Sequence, residues 1–139
     1  MNRYKIREVD GRDLLKNTKT SLFEKIYVKN KEIIISSQTN PLNCKFYNDK
    51  KIKWLYTVPK YPCTLSDLNF KEFNCFDGYS NHCPNSLALL TAVILGADII
   101  EIHVTSSKEE NFFDNNVSFT FDELKTTFNN FEQIKQMQI

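Results

Sequence analysis

The chain has 139 residues, 41% of them hydrophobic and 25% charged, with a formal net charge of +1. That length and composition suit one soluble domain with a buried core, and so even a charge balance excludes the broad basic footprint of a nucleic-acid binder. No signal peptide and no membrane span is read, because the most apolar stretch, Leu87 to Leu95, is far too short to cross a bilayer.

In chain order, short β-rich runs alternate with helical stretches, the pattern of parallel β-α units. Tyr4 to Val9 reads as a strand closed by an Asp10-Gly11 turn, and Ser21 to Val28 carries Leu22, Phe23 and Ile26 at helical spacing. Ile33 to Ser36 reads as a short buried strand, and Pro41 opens a short helix through Tyr47. The basic cluster of Lys50, Lys51 and Lys53 is a solvated entry to the strand Trp54–Val58, which Pro59 and Pro62 stop. Phe76 to Ser80 and Ile99 to Val104 are a fourth and a fifth strand. Between them a helix starts at Pro84, Asn85 and Ser86, is apolar from Leu87 to Leu95, and meets Gly96 at its C-terminal cap position. Lys108 to Asn116 is a polar surface loop. A last helix opens on the capping box Thr120-Phe-Asp-Glu123 and repeats Phe121, Leu124, Phe128, Phe131 and Ile134 on one face, a stripe expected to pack on a sheet.

Chemistry concentrates at two points. The only two histidines, His82 and His103, close the fourth and fifth strands, and strand C-termini are where α/β folds gather their functional groups. The pair looks like half of a metal or anion site, although a histidine near a core is also a common satisfied polar residue. The four cysteines, Cys44, Cys63, Cys75 and Cys83, form no C-x-x-C pair, which speaks against a zinc knuckle; reduced thiols fit a cytoplasmic location.

Several segments, in order, resemble the sialic acid synthase family, enzymes that condense phosphoenolpyruvate with an N-acylated amino sugar. The family's Gly-Tyr-Ser-Asp-His motif is matched by Gly78-Tyr-Ser-Asn-His82, its Leu-Gly-Ala helix end by Leu95-Gly-Ala97, and its Ile-Glu-Lys-His-Phe-Thr strand by Ile100-Glu-Ile-His-Val-Thr105. Asp114-Asn-Asn-Val-Ser118 with Asp122-Glu-Leu124 is similar to an Asp-His-x-x-Ser-x-x-x-Asp-Glu-Leu pattern. Upstream, Leu55-Tyr-Thr-Val-Pro-Lys-Tyr-Pro62 is similar to Leu-His-Cys-Thr-x-x-Tyr-Pro, and Ile34-Ile-Ser-Ser37 to Ile-Leu-Ser-Thr-Gly.

The resemblance implies a partial (β/α)8 TIM barrel, about strands four to eight, with parallel strands and alternating helices, lacking the family's C-terminal antifreeze-like domain. The family's earlier motifs, Ala-Glu-Ile-Gly, Lys-Phe-Gln and Thr-Pro-Phe-Asp, have no counterpart here. Such a piece exposes two sheet edges. It is expected to be a fragment, a degenerate copy, or one half completed by a second copy or a complementing chain. The alternative to an enzyme is a non-catalytic half-barrel that serves as an interaction module.

By the same resemblance His82 and His103 hold a divalent metal, Mn2+ or Mg2+, and Lys5, Ser36, Ser80 and Tyr61 contact phosphoenolpyruvate or the amino sugar. For Lys5 a competing register aligns Gly11-Arg-Asp-Leu14 with a family run and puts Glu8 in the lysine's place. Three departures weigh against activity: Asn81 for a family Asp, Pro59 for a polar substrate-holding residue, and Asn115 for a family His.

Overall fold

The computed structural model describes residues 32–137. The expected strand Tyr4–Val9, the expected helix Ser21–Val28 and the candidate residue Lys5 lie outside the described residues. Four strands, β1 (Ile33–Ser37), β2 (Ile52–Tyr56), β3 (Gly78–Ser80) and β4 (Ile99–Glu101), form one sheet in the order β1-β2-β3-β4, every neighbouring pair parallel. Two further strands, β5 (Val104–Thr105) and β6 (Phe119–Thr120), pair in parallel. Helix α1 (Ser86–Ile94) connects β3 to β4, and helix α2 (Phe121–Lys135) follows β6 and packs against α1. Among the described residues no helix is long and apolar enough to cross a membrane.

Parallel register and strand alternation divide the sheet into two unlike faces. Ile35 pairs with Trp54, Tyr56 with Tyr79 and Tyr79 with Ile100, so these side chains share one face, which is apolar. Its β1–β2 half buries Ile33, Ile35, Ile52 and Trp54 with Cys44; its β2–β3 half buries Tyr56 and Tyr79 against Leu89, Ala92, Phe119, Leu124 and Phe131. Tyr56 and Tyr79 stack with ring centres 6.0 Å apart, and the Phe70, Phe73 and Phe76 rings close round them. The opposite face carries Ser36, Leu55 and Gly78 in one row and Ser80 beside Glu101 in the next. That face also carries Ile34, Lys53 and Ile99, and its polar pair Ser80 and Glu101 lies at the strand C-termini, just before His82 and His103.

Several element boundaries differ from the sequence reading for local reasons. The third expected strand, Trp54–Val58, is displaced to Ile52–Tyr56 because Ile52 already pairs with Ile33. The fourth begins at Gly78 and not Phe76: the Asp77 carboxylate accepts the Trp54 amide at 2.8 Å and stands in for a ladder carbonyl. The segment Pro41–Tyr47 forms consecutive turns, with Cys44 N–H donating to the Pro41 carbonyl and Tyr47 N–H to that of Cys44, and no α-helix. So short a run cannot offset the cost of helix nucleation. The fifth expected strand breaks in two. The Asn81 amide donates to the Glu101 carbonyl at 2.9 Å, the last bond to the β3 side, and the Phe119 amide donates to the His103 carbonyl at 2.9 Å, the first to β6. The chain changes partner at Ile102–His103.

Both helices are capped as their sequences require. Asn85 accepts the Leu87 amide at 3.0 Å, and Gly96 takes φ +92° just past α1, a conformation costly for any residue with a Cβ. Thr120 and Glu123 exchange their capping-box bonds at the start of α2. The expected stripe is only partly buried: Leu124, Phe131 and Ile134 are inside with Thr127, whereas Phe121 is 68% and Phe128 49% exposed. The buried arc turns by one position because the Thr127 hydroxyl satisfies itself on the Glu123 carbonyl at 2.8 Å and can enter the core.

Candidate functional site

Strand β3 ends at Ser80, and two residues on, at His82, the chain turns toward α1. Asn81, 1% exposed, holds that turn with both ends of its amide: Nδ2 donates to the Cys83 carbonyl at 2.7 Å and Oδ1 accepts the Cys83 amide at 3.2 Å. The His82 carbonyl accepts the Cys63 amide at 3.0 Å, tying the turn to the segment that follows β2. Cys63 and Cys83 both lie buried behind this junction as free thiols. Burial, with the Cys83 thiol alongside, pushes the Cys63 thiol up to about 11, so it stays protonated and unreactive.

His82 is buried, and its Nδ1 lies 2.7 Å from the Val58 carbonyl. A carbonyl can only accept, so Nδ1 carries the proton and Nε2 the lone pair. Burial is the main influence on this imidazole and pushes its pKa below the usual range; the Val58 carbonyl opposes that and the nearby His103 adds to it. The ring is neutral at neutral pH. Nε2 meets the Tyr61 hydroxyl at 2.6 Å, and the Tyr61 and His82 rings lie 3.9 Å apart centre to centre.

His103, at the point where the chain leaves β4 for β5, brings its ring to 5.8 Å from that of His82 and to 6.0 Å, edge-on, from that of Tyr61. Its Nδ1 faces the Asp114 carboxylate at 3.6 Å. The two imidazoles, distant in sequence, thus share one cluster with Tyr61, and each turns Nδ1 to an acceptor. That is the arrangement in which metal-binding histidines are oriented from behind. Glu101 and Asp114 add negative charge that His82 feels. Imidazole nitrogens next to carboxylates are donors that suit a divalent cation of intermediate hardness. Among the described residues no three or more His, Cys, Asp or Glu side chains converge into a complete cage, so this chain offers such a cation a partial ligand set.

The other candidates fall into place around that cluster. Ser80 is buried in β3 opposite Glu101, on the polar face of the sheet; Ser36 is on the same face but two strands away, level with Gly78. Sequence reasoning missed the groups that orient the histidines. The Val58 carbonyl gives no sequence signal at all. Asp114 and Glu101 do give one: a carboxylate two residues before a strand-end histidine, and another in the loop returning toward it. Asn115 is buried and uses its Nδ2 to hold the loop, donating to the carbonyls of Lys108 and Glu110, while its Oδ1 is buried without a partner.

Comparison with known proteins places these features in a lineage. A model of the NeuB family matches residues 14–138. A pseudaminic acid synthase of Campylobacter jejuni is 33% identical over 92 residues, 59% of this chain and 27% of that protein. An N,N'-diacetyllegionaminic acid synthase of the same species is 30% identical over 136 residues, 86% of this chain and 41% of that protein. The chain therefore spans well under half the length of either relative. The crystal structure of an N-acetylneuraminic acid (sialic acid) synthetase from Leptospira borgpetersenii, in complex with citrate, superposes with a TM-score of 0.76 at 23% identity, over 95% of this chain and 49% of that one. The likeness shows the fold: part of a barrel of parallel strands alternating with helices.

Proposed function

Because the chain belongs to the NeuB family, we propose that it forms the metal-binding wall of a synthase that condenses phosphoenolpyruvate with N-acetylmannosamine or a related N-acyl amino sugar. The observation that carries the reading is the pair of imidazoles with ring centres 5.8 Å apart just past two strand ends, His82 with Nδ1 bonded to the Val58 carbonyl and His103 with Nδ1 facing the Asp114 carboxylate at 3.6 Å. A bound Mn2+ or Mg2+ would supply Lewis acidity toward the sugar carbonyl.

The residues of the chain itself have separable parts in this. His82 and His103 would offer nitrogen lone pairs without adding charge, so the cation's field is not quenched. Val58 holds the proton on Nδ1 of His82, and the Asp114 carboxylate faces Nδ1 of His103. Ser36 and Ser80 present hydroxyls on the polar sheet face, where the carboxylate and phosphate oxygens of phosphoenolpyruvate need donors, and Lys5 is the proposed cationic partner. Tyr61, beside both histidines, is placed to donate to substrate. Asp114 and Glu101 would supply acceptors for the hydroxyls of the amino sugar.

The test is Mn2+ binding to the purified chain, followed by electron paramagnetic resonance of the free ion. About one ion per chain is expected, with binding lost in both His82→Ala and His103→Ala. Equal binding by wild type and both variants would overturn the reading.

A further inference from the structure

The contact between Tyr61 and His82 has a consequence for how any cation reaches this site. With Nδ1–H committed to the Val58 carbonyl, Nε2 holds the only σ lone pair of the His82 ring, and the Tyr61 hydroxyl donates to it at 2.6 Å. An imidazole nitrogen has one such lone pair, directed in the ring plane. It cannot accept a proton from Tyr61 and bind a metal ion at once. The Tyr61 ring also lies over His82, 3.9 Å away and tilted 32°, and meets His103 edge-on at 6.0 Å. One side chain therefore overlies His82 and touches the edge region of His103.

We infer that Tyr61 is a cap that competes with the metal ion for the Nε2 lone pair of His82, so that loading the site requires the tyrosine side chain to rotate away. This rests on the metal-binding reading above. The surroundings of Tyr61 suit a side chain that moves on a fixed backbone. The residue is 48% exposed, so rotation toward solvent meets little packing. Its backbone is held on both sides: the Lys60 amide donates to the Val58 carbonyl at 2.8 Å, and the Cys63 amide to the His82 carbonyl at 3.0 Å. Pro59 and Pro62 further restrict the segment. The motion then belongs to the Tyr61 side-chain torsions alone. The same hydroxyl, once displaced from Nε2, is freed at the edge of the site.

The experiment compares wild type with Tyr61→Phe, which keeps the ring and removes the competing donor, and with Tyr61→Leu, which also removes the ring. Mn2+ affinity is measured by calorimetry, and the His82 Nε2 resonance of the metal-free proteins by 15N NMR. Tyr61→Phe is expected to bind Mn2+ about three- to tenfold more tightly, the equivalent of one hydrogen bond no longer broken on loading, and to shift the Nε2 resonance without metal. Tyr61→Leu is expected to bind at least as tightly as Tyr61→Phe. Unchanged or weaker affinity in Tyr61→Phe would overturn the cap, weaker affinity marking the hydroxyl as a ligand instead. An unmoved Nε2 resonance would overturn it independently of metal. Absence of Mn2+ binding in all three proteins, with the resonance shifted, would overturn the metal-binding reading and the competition with it.

Discussion

Asn81 changes meaning once its partners are known. Against the family motif it is a lost carboxylate beside a metal ligand; in the fold it is a buried amide whose nitrogen donates to one backbone group of Cys83 and whose oxygen accepts from another. A carboxylate could keep the second bond but would set an oxygen against the Cys83 carbonyl. Asn81→Asp, which restores the family residue, is therefore expected to destabilise the protein by about 1–3 kcal/mol, read as a lower urea midpoint. Unchanged stability would show that the turn relaxes to accept the charge. Tyr79 is the opposite case. Its hydroxyl is buried without a hydrogen-bond partner, and burial drives its ionisation far out of range. Tyr79→Phe is expected to be neutral or to stabilise by up to about 1 kcal/mol, and a clear loss in thermal midpoint would reveal a partner for that oxygen. At this scale the sequence made the two histidines visible, because they are the only imidazoles and both end strands. It could not show what orients them, since a backbone carbonyl carries no side-chain signature and Asp114 approaches from a separate loop.

Among the elements, β3 is only three residues long and is tightly constrained against β4. A Cβ placed on Gly78 would lie 2.0 Å from the Ile99 carbonyl oxygen, a backbone atom that cannot swing aside. Gly78→Ala is expected to force β3 and β4 apart at a cost of about 3 kcal/mol or more, and to carry His82 away from His103. Near-wild-type stability with intact Mn2+ binding would contradict this close approach. The turn after β2 makes a different, pH-dependent contribution. The Asp67 carboxylate takes the Lys60 ammonium at 2.8 Å and the Thr64 amide and hydroxyl at 2.7 Å each, and Lys60 first, then Thr64, lower its pKa from 3.8 to about 2. A carboxyl group with a folded-state pKa below its unfolded value adds stability above about pH 4 and loses it as pH falls toward 2. An NMR titration should place Asp67 well below the other carboxylates, and Lys60→Met should move it upward. Helices α1 and α2 were readable from their caps, because capping chemistry is local. The turns at 41–48 and the strand break at Ile102–His103 were not: the first depends on a helix being too short to propagate, the second on β6, whose two residues carry no periodicity.

At the scale of the whole molecule, the chain has the fold of about half of a sialic acid synthetase structure, 49% of that chain, and its candidate site is correspondingly partial. It brings together two imidazoles and an aromatic hydroxyl, and no three or more His, Cys, Asp or Glu side chains converge among the described residues. Pro59 also leaves no side-chain donor or acceptor at a position that the family resemblance makes polar. Condensation of phosphoenolpyruvate with an amino sugar requires charge to be stabilised at the sugar carbonyl and at the departing phosphate simultaneously. Loss of a single preorganised electrostatic group commonly lowers a rate by about 10²–10³-fold. The 139-residue chain, assayed by itself with phosphoenolpyruvate, Mn2+ and N-acetylmannosamine, is therefore expected to bind metal but to release no phosphate above background. Turnover at about 1 s⁻¹, within the ordinary enzyme range, would mean that the groups this chain carries suffice for the chemistry.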